Sequence, residues 1–158
     1  MNIESENFIV RNMDMSDKEN MRKLELSRPW AKGIVKFADE LKEVTLSKEE
    51  FDYFENLWSC YQKEKYFWVI ERKPGIFCGD IQLDIDSDNE THLYIQLLDE
   101  ANIKGFGAEL FDITVENIAD TSGIRKFYVE LWNETDKSKN VYTEAGYELE
   151  EGYLEIDV

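Results

Sequence analysis

The chain has 158 residues, the usual length of a single domain, so we predict one domain over residues 1–158. Its 42% hydrophobic and 13% aromatic content excludes the composition of a disordered chain. The 35 acidic residues outnumber the 18 basic ones, and a formal net charge of −17 disfavours nucleic acids and anionic membrane surfaces as partners. The same charge favours a cationic partner.

The sequence carries no signal for export or for a membrane. Its first seven residues lack the basic segment and the long apolar stretch of a signal peptide. The longest apolar run covers residues 66–70, whereas a membrane-spanning helix needs about 20 apolar residues. Without an export signal, Cys60 and Cys78 are expected to be free thiols. We therefore expect a cytoplasmic protein that does not bind membranes.

One strand and two helices are predicted in the first part of the chain. Residues 8–11 are mostly β-branched or aromatic, which predicts a strand. Segments 16–19 and 47–50 each have the spacing of a capping box, Ser followed three residues later by Glu, which predicts a helix start. After the second box, apolar residues recur at helical spacing: Phe51, Phe54, Leu57, Trp58 and Tyr61. For the aromatic residues of this set together with Trp30, core packing is the favoured role of most, and lining an acceptor pocket is the alternative.

The rest of the chain predicts a strand meander followed by alternating helices and strands. Pro74 and Gly75 favour a turn at residues 72–75, because Pro fixes φ and Gly permits a positive φ. Gly146 is expected to follow the last helix in the left-handed conformation. The predicted elements are strands at 66–70, 76–85 and 91–98, a helix after Gly107 that ends near 120–123, a strand at 126–132, a helix at 137–145, and short strands at 147–149 and 153–156.

The predicted order of elements is β-α-α-β-β-β-α-β-α-β-β. This order favours an α+β fold, in which helices flank a mixed, mostly antiparallel central sheet. Residues 28–44 have a mixed pattern that assigns no element, and helix in part of them is left open.

Gly105 and Gly107 join a predicted strand to a predicted helix. The glycines allow a ligand to approach the backbone, and the first N–H groups of the helix could bind a pyrophosphate. A turn needed only for tight packing would have the same pattern. A dinucleotide-binding motif would require a small residue where Leu110 stands, and a P-loop would require Gly-Lys-Ser/Thr, which is absent. Both of these phosphate motifs are therefore excluded.

Two segments resemble the GNAT family of N-acetyltransferases. Leu97–Ala108 resembles the family's acetyl-CoA motif, Arg/Gln-x-x-Gly-x-Gly/Ala, with Asn102 where Arg or Gln is usual. Ser138–Tyr147 is similar to the family's closing stretch, a small residue followed by Tyr142 and then by Gly-Tyr. The Asn that usually precedes this stretch has a displaced counterpart in Asn133. The resemblance covers residues 8–156 and implies the GNAT fold.

The resemblance implies acetyl-CoA as co-substrate. The strand that ends at Leu97 and Leu98 would splay from the strand at 126–132, and pantetheine would lie in the gap. An N–H near Leu98 would then polarise the thioester carbonyl. The residues implied in cofactor binding are Leu97, Leu98, Asn102, Ile103, Lys104, Gly105, Phe106, Gly107, Ala108, Asn133 and Lys139.

The resemblance also suggests catalytic residues. Tyr142 is implied as the general acid that protonates the coenzyme A thiolate, and a packing role is its alternative. Glu90, His92 and Glu130 are candidate proton acceptors for the attacking amine, because they lie near or on the two central strands. A lone histidine is more often structural than catalytic, so the acceptor is left open among the three.

No metal site is expected. One His and two distant Cys residues give no zinc-binding spacing. Asp84, Asp86 and Asp88 have the spacing of the first ligands of a calcium loop. However, Asn89 stands where that loop needs Gly, and Ile95 stands where it needs Glu. An acidic hairpin turn is the favoured interpretation.

The leading functional hypothesis is N-acetylation of a cationic primary amine by direct attack on acetyl-CoA in a ternary complex. The acceptor would be a polyamine, an aminoglycoside or a peptide amine, and a homodimer is compatible with it. The alternative is a catalytically inactive module of the same fold that binds acyl-CoA or a protein partner.

Overall fold

The computed structural model describes residues 2–26, 35–38, 48–98, 105–130, 136–148 and 153–158. The first half contains β1 (Ile3–Glu4), β2 (Phe8–Asn12), a 3-10 turn (Met15–Asp17), α1 (Lys18–Leu26), β3 (Val35–Ala38) and α2 (Lys48–Tyr61). The second half contains β4 (Phe67–Arg72), β5 (Ile76–Ile85), β6 (Thr91–Leu98), α3 (Phe106–Ser122), β7 (Lys126–Glu130), α4 (Asp136–Glu144) and β8 (Tyr153–Asp157).

The described strands form one sheet in the order β1-β2-β4-β5-β6-β7-β8, with β3 also paired to β6. Neighbouring strands are antiparallel except at two places, where β6 pairs in parallel with β3 and with β7. The predicted α+β class with a mixed, mostly antiparallel sheet is confirmed.

Helices cover both faces of the central strands. Residues 67–70 of β4 are all buried, although successive side chains of a strand point to opposite faces. On α3, buried Phe111, Val115 and Ile118 recur at helical spacing and form the apolar stripe that packs on the sheet. No helix in the described ranges is long and apolar enough to cross a bilayer.

A partly buried ion pair fixes the entry to α1. The Arg11 guanidinium donates two hydrogen bonds of 2.8 Å to the carboxylate of Asp17, which is 3% exposed, and two of 2.5 and 3.0 Å to Glu71. These acceptors, Asp17 first, raise the pKa of Arg11 above its ordinary value and keep it charged. The 3-10 turn is thereby tied to β2 and β4.

The first helix cap differs from the prediction. The cap is Asp14, whose side chain accepts from the N–H of Ser16, and the box is closed by Asp17. Ser16 lies inside the 3-10 turn and donates its hydroxyl to Asp14, and the box is formed by Asp14 and Asp17 instead of Ser16 and Glu19. The second predicted cap, Ser47, lies outside the described residues, and α2 begins at Lys48.

The structure differs from the sequence-based expectation in three other places and confirms two predicted glycine conformations. The unassigned segment 28–44 contains β3 rather than a described helix, and β1 was not predicted. Tyr147 and Glu148 are not in a strand, and residue 149 lies outside the described ranges. The predicted positive φ is present at Gly75 (97°) and at Gly146 (95°).

Candidate active site

The two central strands are paired over little of their described length. Among the described residues, β6 and β7 pair only at His92 and Tyr128. β7 is described to Glu130 and makes no second pair with β6 up to that residue, so we call the edge of β6 from His92 to Leu98 the gap. Leu98 lies six positions after His92, which corresponds to about 20 Å along a strand.

The gap is not open along β6 in this structure. β3 lies in it and pairs in parallel with β6, from Val35 opposite Ile95 to Ala38 opposite Leu98. The backbone edge that pantetheine was expected to use is therefore occupied by the protein itself. Leu97 and Leu98, two of the expected cofactor residues, are buried. Sequence reasoning gave no signal for this pairing.

The N-terminus of α3 offers backbone N–H donors. Its cap residue Gly105 is in the left-handed conformation (φ 81°) and makes no side-chain cap. The first helical bond runs from the N–H of Glu109 to the carbonyl of Gly105, so the N–H groups of Phe106, Gly107 and Ala108 have no partner within the helix. Together with the helix dipole, they form a site for an anion. Asn102, Ile103 and Lys104 lie outside the described residues.

Contacts with β2 hold this helix end in place. The ring of Phe106 packs edge-on against Phe8, with centroids 5.5 Å apart. The side chain of Asn7 donates a 3.0 Å hydrogen bond to Glu109. The first turn of α3 is thus anchored at the sheet end where β4 and β6 finish.

A cavity of about 630 Å³ adjoins the start of α3. It is lined by the turn between β4 and β5 and by the first turn of the helix: Glu6, Asn7, Arg72, Lys73, Pro74, Ile76, Gly105, Phe106 and Glu109. Arg72 is partly buried, and the Lys73 ammonium lies 2.8 Å from Glu4. Sequence reasoning treated these two cations only as turn residues. The meander could have indicated them, because β4 and β6 run in the same direction and end at the same edge.

Tyr142 is fully buried on α4. Its ring packs edge-on against Phe111, with centroids 5.2 Å apart, and α4 also contacts β3. The helix ends in a Schellman motif, in which Tyr147 N–H donates to the Tyr142 carbonyl and Gly146 N–H donates to Thr143. Solvent does not reach the phenol in this arrangement. Lys139 lies on the same helix with its side chain undescribed, and Asn133 lies outside the described residues.

Two proton-acceptor candidates lie together at the apex of the gap. His92 Nε2 is 3.2 Å from a carboxylate oxygen of Asp86, and ligand atoms of His92, Asp86 and Glu90 lie within 4.8 Å of one another. The N–H of Glu90, first, and the contacts with His92 and Asp88 hold the pKa of Asp86 below its ordinary value. The third candidate, Glu130, pairs with β8 through its backbone, and its side chain is not described.

A buried carboxylate that the sequence did not indicate lies in the neighbouring strand. Asp80 on β5 is 0% exposed, and one carboxylate oxygen accepts from Gln82 at 2.9 Å and from Gln96 at 3.2 Å. It pairs with Gln96, and the preceding Gly79 pairs with Leu97. In the sequence, an Asp within an alternating strand appears to face solvent. Its burial is not visible there, because the donor Gln96 belongs to another strand and becomes adjacent only after folding.

Known structures resemble the whole chain. One is a ribosomal-protein-S5-alanine acetyltransferase from Vibrio fischeri, 17% identical, with 99% of this chain and 94% of that chain covered at a TM-score of 0.61. Another is a spermidine N-acetyltransferase from Vibrio cholerae in complex with CoA and spermine, 17% identical, covering 97% and 94% at 0.59. A GNAT-family acetyltransferase from Bacillus anthracis is 15% identical, covering 92% and 82% at 0.63. The chain has the GNAT fold.

No family model and no curated protein matches the sequence. In this GNAT fold, the segment 97–108 spans the end of β6 and the start of α3, and the segment 138–147 spans α4 and its C-terminal cap. The gap, the first N–H groups of α3 and Tyr142 together make up the candidate site.

Proposed function

We propose that the protein is an acetyl-CoA-dependent N-acetyltransferase that acts on a cationic primary amine. The observation that carries this proposal is the parting of β6 from β7 beside the uncapped N-terminus of α3 in a GNAT fold. A structurally similar protein binds CoA and spermine, which supports both the cofactor and the amine.

The cofactor would be held by its phosphates at the helix end. The N–H groups of Phe106, Gly107 and Ala108 supply donors for a pyrophosphate. Arg72 and Lys73 in the adjoining cavity supply positive charge in a molecule of net charge −17. The contacts from Asn102, Ile103, Lys104, Asn133 and Lys139 stay predictions.

Acetyl transfer forms one bond and breaks another. The neutral amine nitrogen attacks the thioester carbonyl carbon, a C–N bond forms, and the C–S bond breaks. The Leu98 N–H would stabilise the oxyanion, and the Tyr142 hydroxyl would give its proton to the departing thiolate. The Leu98 N–H and Tyr142 both belong to the part of the gap in which β3 lies in this structure.

The amine must lose a proton, and the position of the thioester restricts the acceptor. His92 lies about 20 Å from Leu98 along β6, and Glu90 lies just before the strand and farther away, so both could reach the amine only through intervening groups. Asp80 is added as a candidate because Gly79, its neighbour, pairs with Leu97. If Asp80 accepts the proton, Asp80→Asn lowers kcat and removes the acidic limb of the pH–rate profile, whereas His92→Gln leaves both unchanged.

A non-catalytic acyl-CoA- or partner-binding module is the second candidate. It is favoured by β3, which lies along β6, and by the burial of Tyr142. Thioester consumption measured with a panel of polyamines, aminoglycosides and peptide amines separates the two. Turnover with a cationic amine supports the enzyme, and acetyl-CoA binding without turnover on any amine supports the module.

The cofactor site is tested by filling Gly107. Gly107→Leu places a bulky side chain among the first amides of α3 and should abolish acetyl-CoA binding measured by calorimetry. Ala119→Leu is the matched control, since Ala119 is also buried on α3 but lies at its other end. Retained affinity in a folded Gly107→Leu protein would refute the site.

A further inference from the structure

We propose that β3 is an intramolecular occupant of the cofactor gap and must leave β6 before acetyl-CoA binds. The described arrangement is then a closed, self-inhibited state. This inference rests on the proposed function, since it requires that the gap is the cofactor site.

The backbone of β6 has only two edges. One edge pairs with β5 along the strand, and the other pairs with β3 from Ile95 to Leu98. Each strand edge offers one set of N–H and C=O groups, so β3 and an extended pantetheine arm cannot use the second edge together. Occupation by β3 and binding of the cofactor are therefore mutually exclusive.

β3 can leave without dismantling the sheet. Among the described strands it pairs with β6 only, and it lies off the path that connects the others. The pairing comprises four residues and is parallel, which is the less stable kind of ladder. The β5–β6 ladder and the pair between His92 and Tyr128 stay in place when β3 departs.

Release of β3 would change the apparent affinity of the protein for acetyl-CoA. When only a fraction of the molecules is open, the apparent dissociation constant equals the intrinsic one divided by that fraction. Locking β3 onto β6 should therefore weaken acetyl-CoA binding, and weakening the β3 ladder should strengthen it.

A disulfide provides the lock. Ala38 and Leu98 are register partners, and neighbouring strands lie about 4.8 Å apart, within the span that a disulfide bridges. Ala38→Cys and Leu98→Cys are combined with Cys60→Ser, which removes the exposed native thiol. The control pair is Lys126→Cys with Asp157→Cys, exposed register partners on β7 and β8. The probe is acetyl-CoA, which has no free thiol to reduce the bond.

The oxidised lock should bind acetyl-CoA at least about 100-fold more weakly than the same protein after reduction, whereas the control pair should bind equally in both states. In a strand, alternate residues direct their N–H groups to the same edge, so one of two adjacent prolines always removes an N–H directed at β6. The double variant Lys36→Pro with Phe37→Pro should therefore weaken the β3 ladder and tighten acetyl-CoA binding by about tenfold.

The outcomes separate this inference from the proposed function. Equal affinity of the oxidised and reduced lock, with acetyl-CoA bound in both, would overturn the role of β3 and leave the cofactor site intact. No acetyl-CoA binding by the reduced lock, the wild-type protein and the proline variant would refute the cofactor site itself, and the inference with it.

Discussion

Two tyrosines share one aromatic partner and differ in the chemistry expected of them. Tyr142 and Tyr147 both pack edge-on against Phe111, with ring centroids 5.2 and 5.7 Å away. Tyr142 is fully buried, whereas Tyr147 is partly exposed. Burial, then the charges of Asp112 and Glu116, raise the pKa of Tyr147, so it stays a neutral phenol at physiological pH.

This pair allows a matched test of the general acid. Tyr142→Phe keeps the ring on Phe111 and removes only the hydroxyl, so turnover should fall by about 100-fold or more. Tyr147→Phe makes the same chemical change on the same partner and should leave turnover unchanged. Steady-state kinetics and thermal melting of both variants check this. Equal turnover in wild-type protein and Tyr142→Phe would assign Tyr142 to packing.

Asp86 gives the stability a defined dependence on pH. The pKa of its carboxyl is held below the ordinary value of 3.8, chiefly by the N–H of Glu90. Stability from a lowered carboxyl pKa is fully present above the unfolded value and is lost as the pH falls through the folded value. Asp86→Asn should therefore destabilise the protein at neutral pH, and its difference from wild type should shrink below about pH 4.

Denaturant unfolding at a series of pH values measures this difference. Asp88→Asn, in the same turn and exposed, is the control and should track the wild type throughout. A constant gap between Asp86→Asn and the wild type from neutral to acid pH would show that the charge of Asp86 does not contribute.

Gly79 determines how closely β5 approaches β6. Its φ is 154°, and a Cβ at this position would lie 1.7 Å from the carbonyl oxygen of Gln96. The pairing of β4 with β5 shifts at the same place, so a β-bulge lies beside the glycine. The close approach positions Leu97, the register partner of Gly79, at the edge of the gap.

Gly79→Ala should destabilise the protein by at least about 3 kcal/mol, because β6 must move away to admit the methyl group. Gly75→Ala is the control: Gly75 also has a positive φ, but nothing lies within 4 Å of the added Cβ. It should cost about 1–2 kcal/mol for the left-handed backbone alone. If urea unfolding showed the same loss of unfolding free energy in Gly79→Ala and Gly75→Ala, the clash at Gly79 would relax without cost.

The sequence predicts those elements whose causes are local. α3 follows from apolar spacing, and the turns at Gly75 and Gly146 follow from glycine chemistry. The pairing of β3 with β6 joins residues about 60 positions apart, and a four-residue strand of mixed composition gains its order from the edge that it meets. The burial of Asp80 is hidden for the same reason, since one of its donors, Gln96, comes from another strand.

The residues of the candidate site also differ in whether the sequence could locate them. The glycine motif and Tyr142 could be located from spacing and resemblance, and the structure places them on adjacent elements. Asp80 could not be located, because its donor Gln96 comes from another strand. Arg72 and Lys73 could have been indicated only by the shared direction of β4 and β6.

Over the whole molecule, the net charge of −17 acts on every cationic acceptor that approaches. Attraction of this kind raises association rates and is screened by salt. For a polyamine, kcat/KM should fall by about tenfold between about 0.02 M and 0.5 M salt. A singly charged amine should lose much less. Measuring both series at constant acetyl-CoA tests this, and parallel declines would point to an effect on the protein or the cofactor.

The two turns of the β4–β5–β6 meander lie at opposite ends of the sheet and differ in charge. The turn beside α3 contains Arg72 and Lys73, and the turn at residues 86–90 contains three carboxylates. Ten residues of β5 separate them, which is about 30 Å. The turn between β5 and β6 is therefore the more acidic end of the meander. The anionic cofactor and the cationic acceptor of the proposed function would be attracted toward opposite ends of these strands.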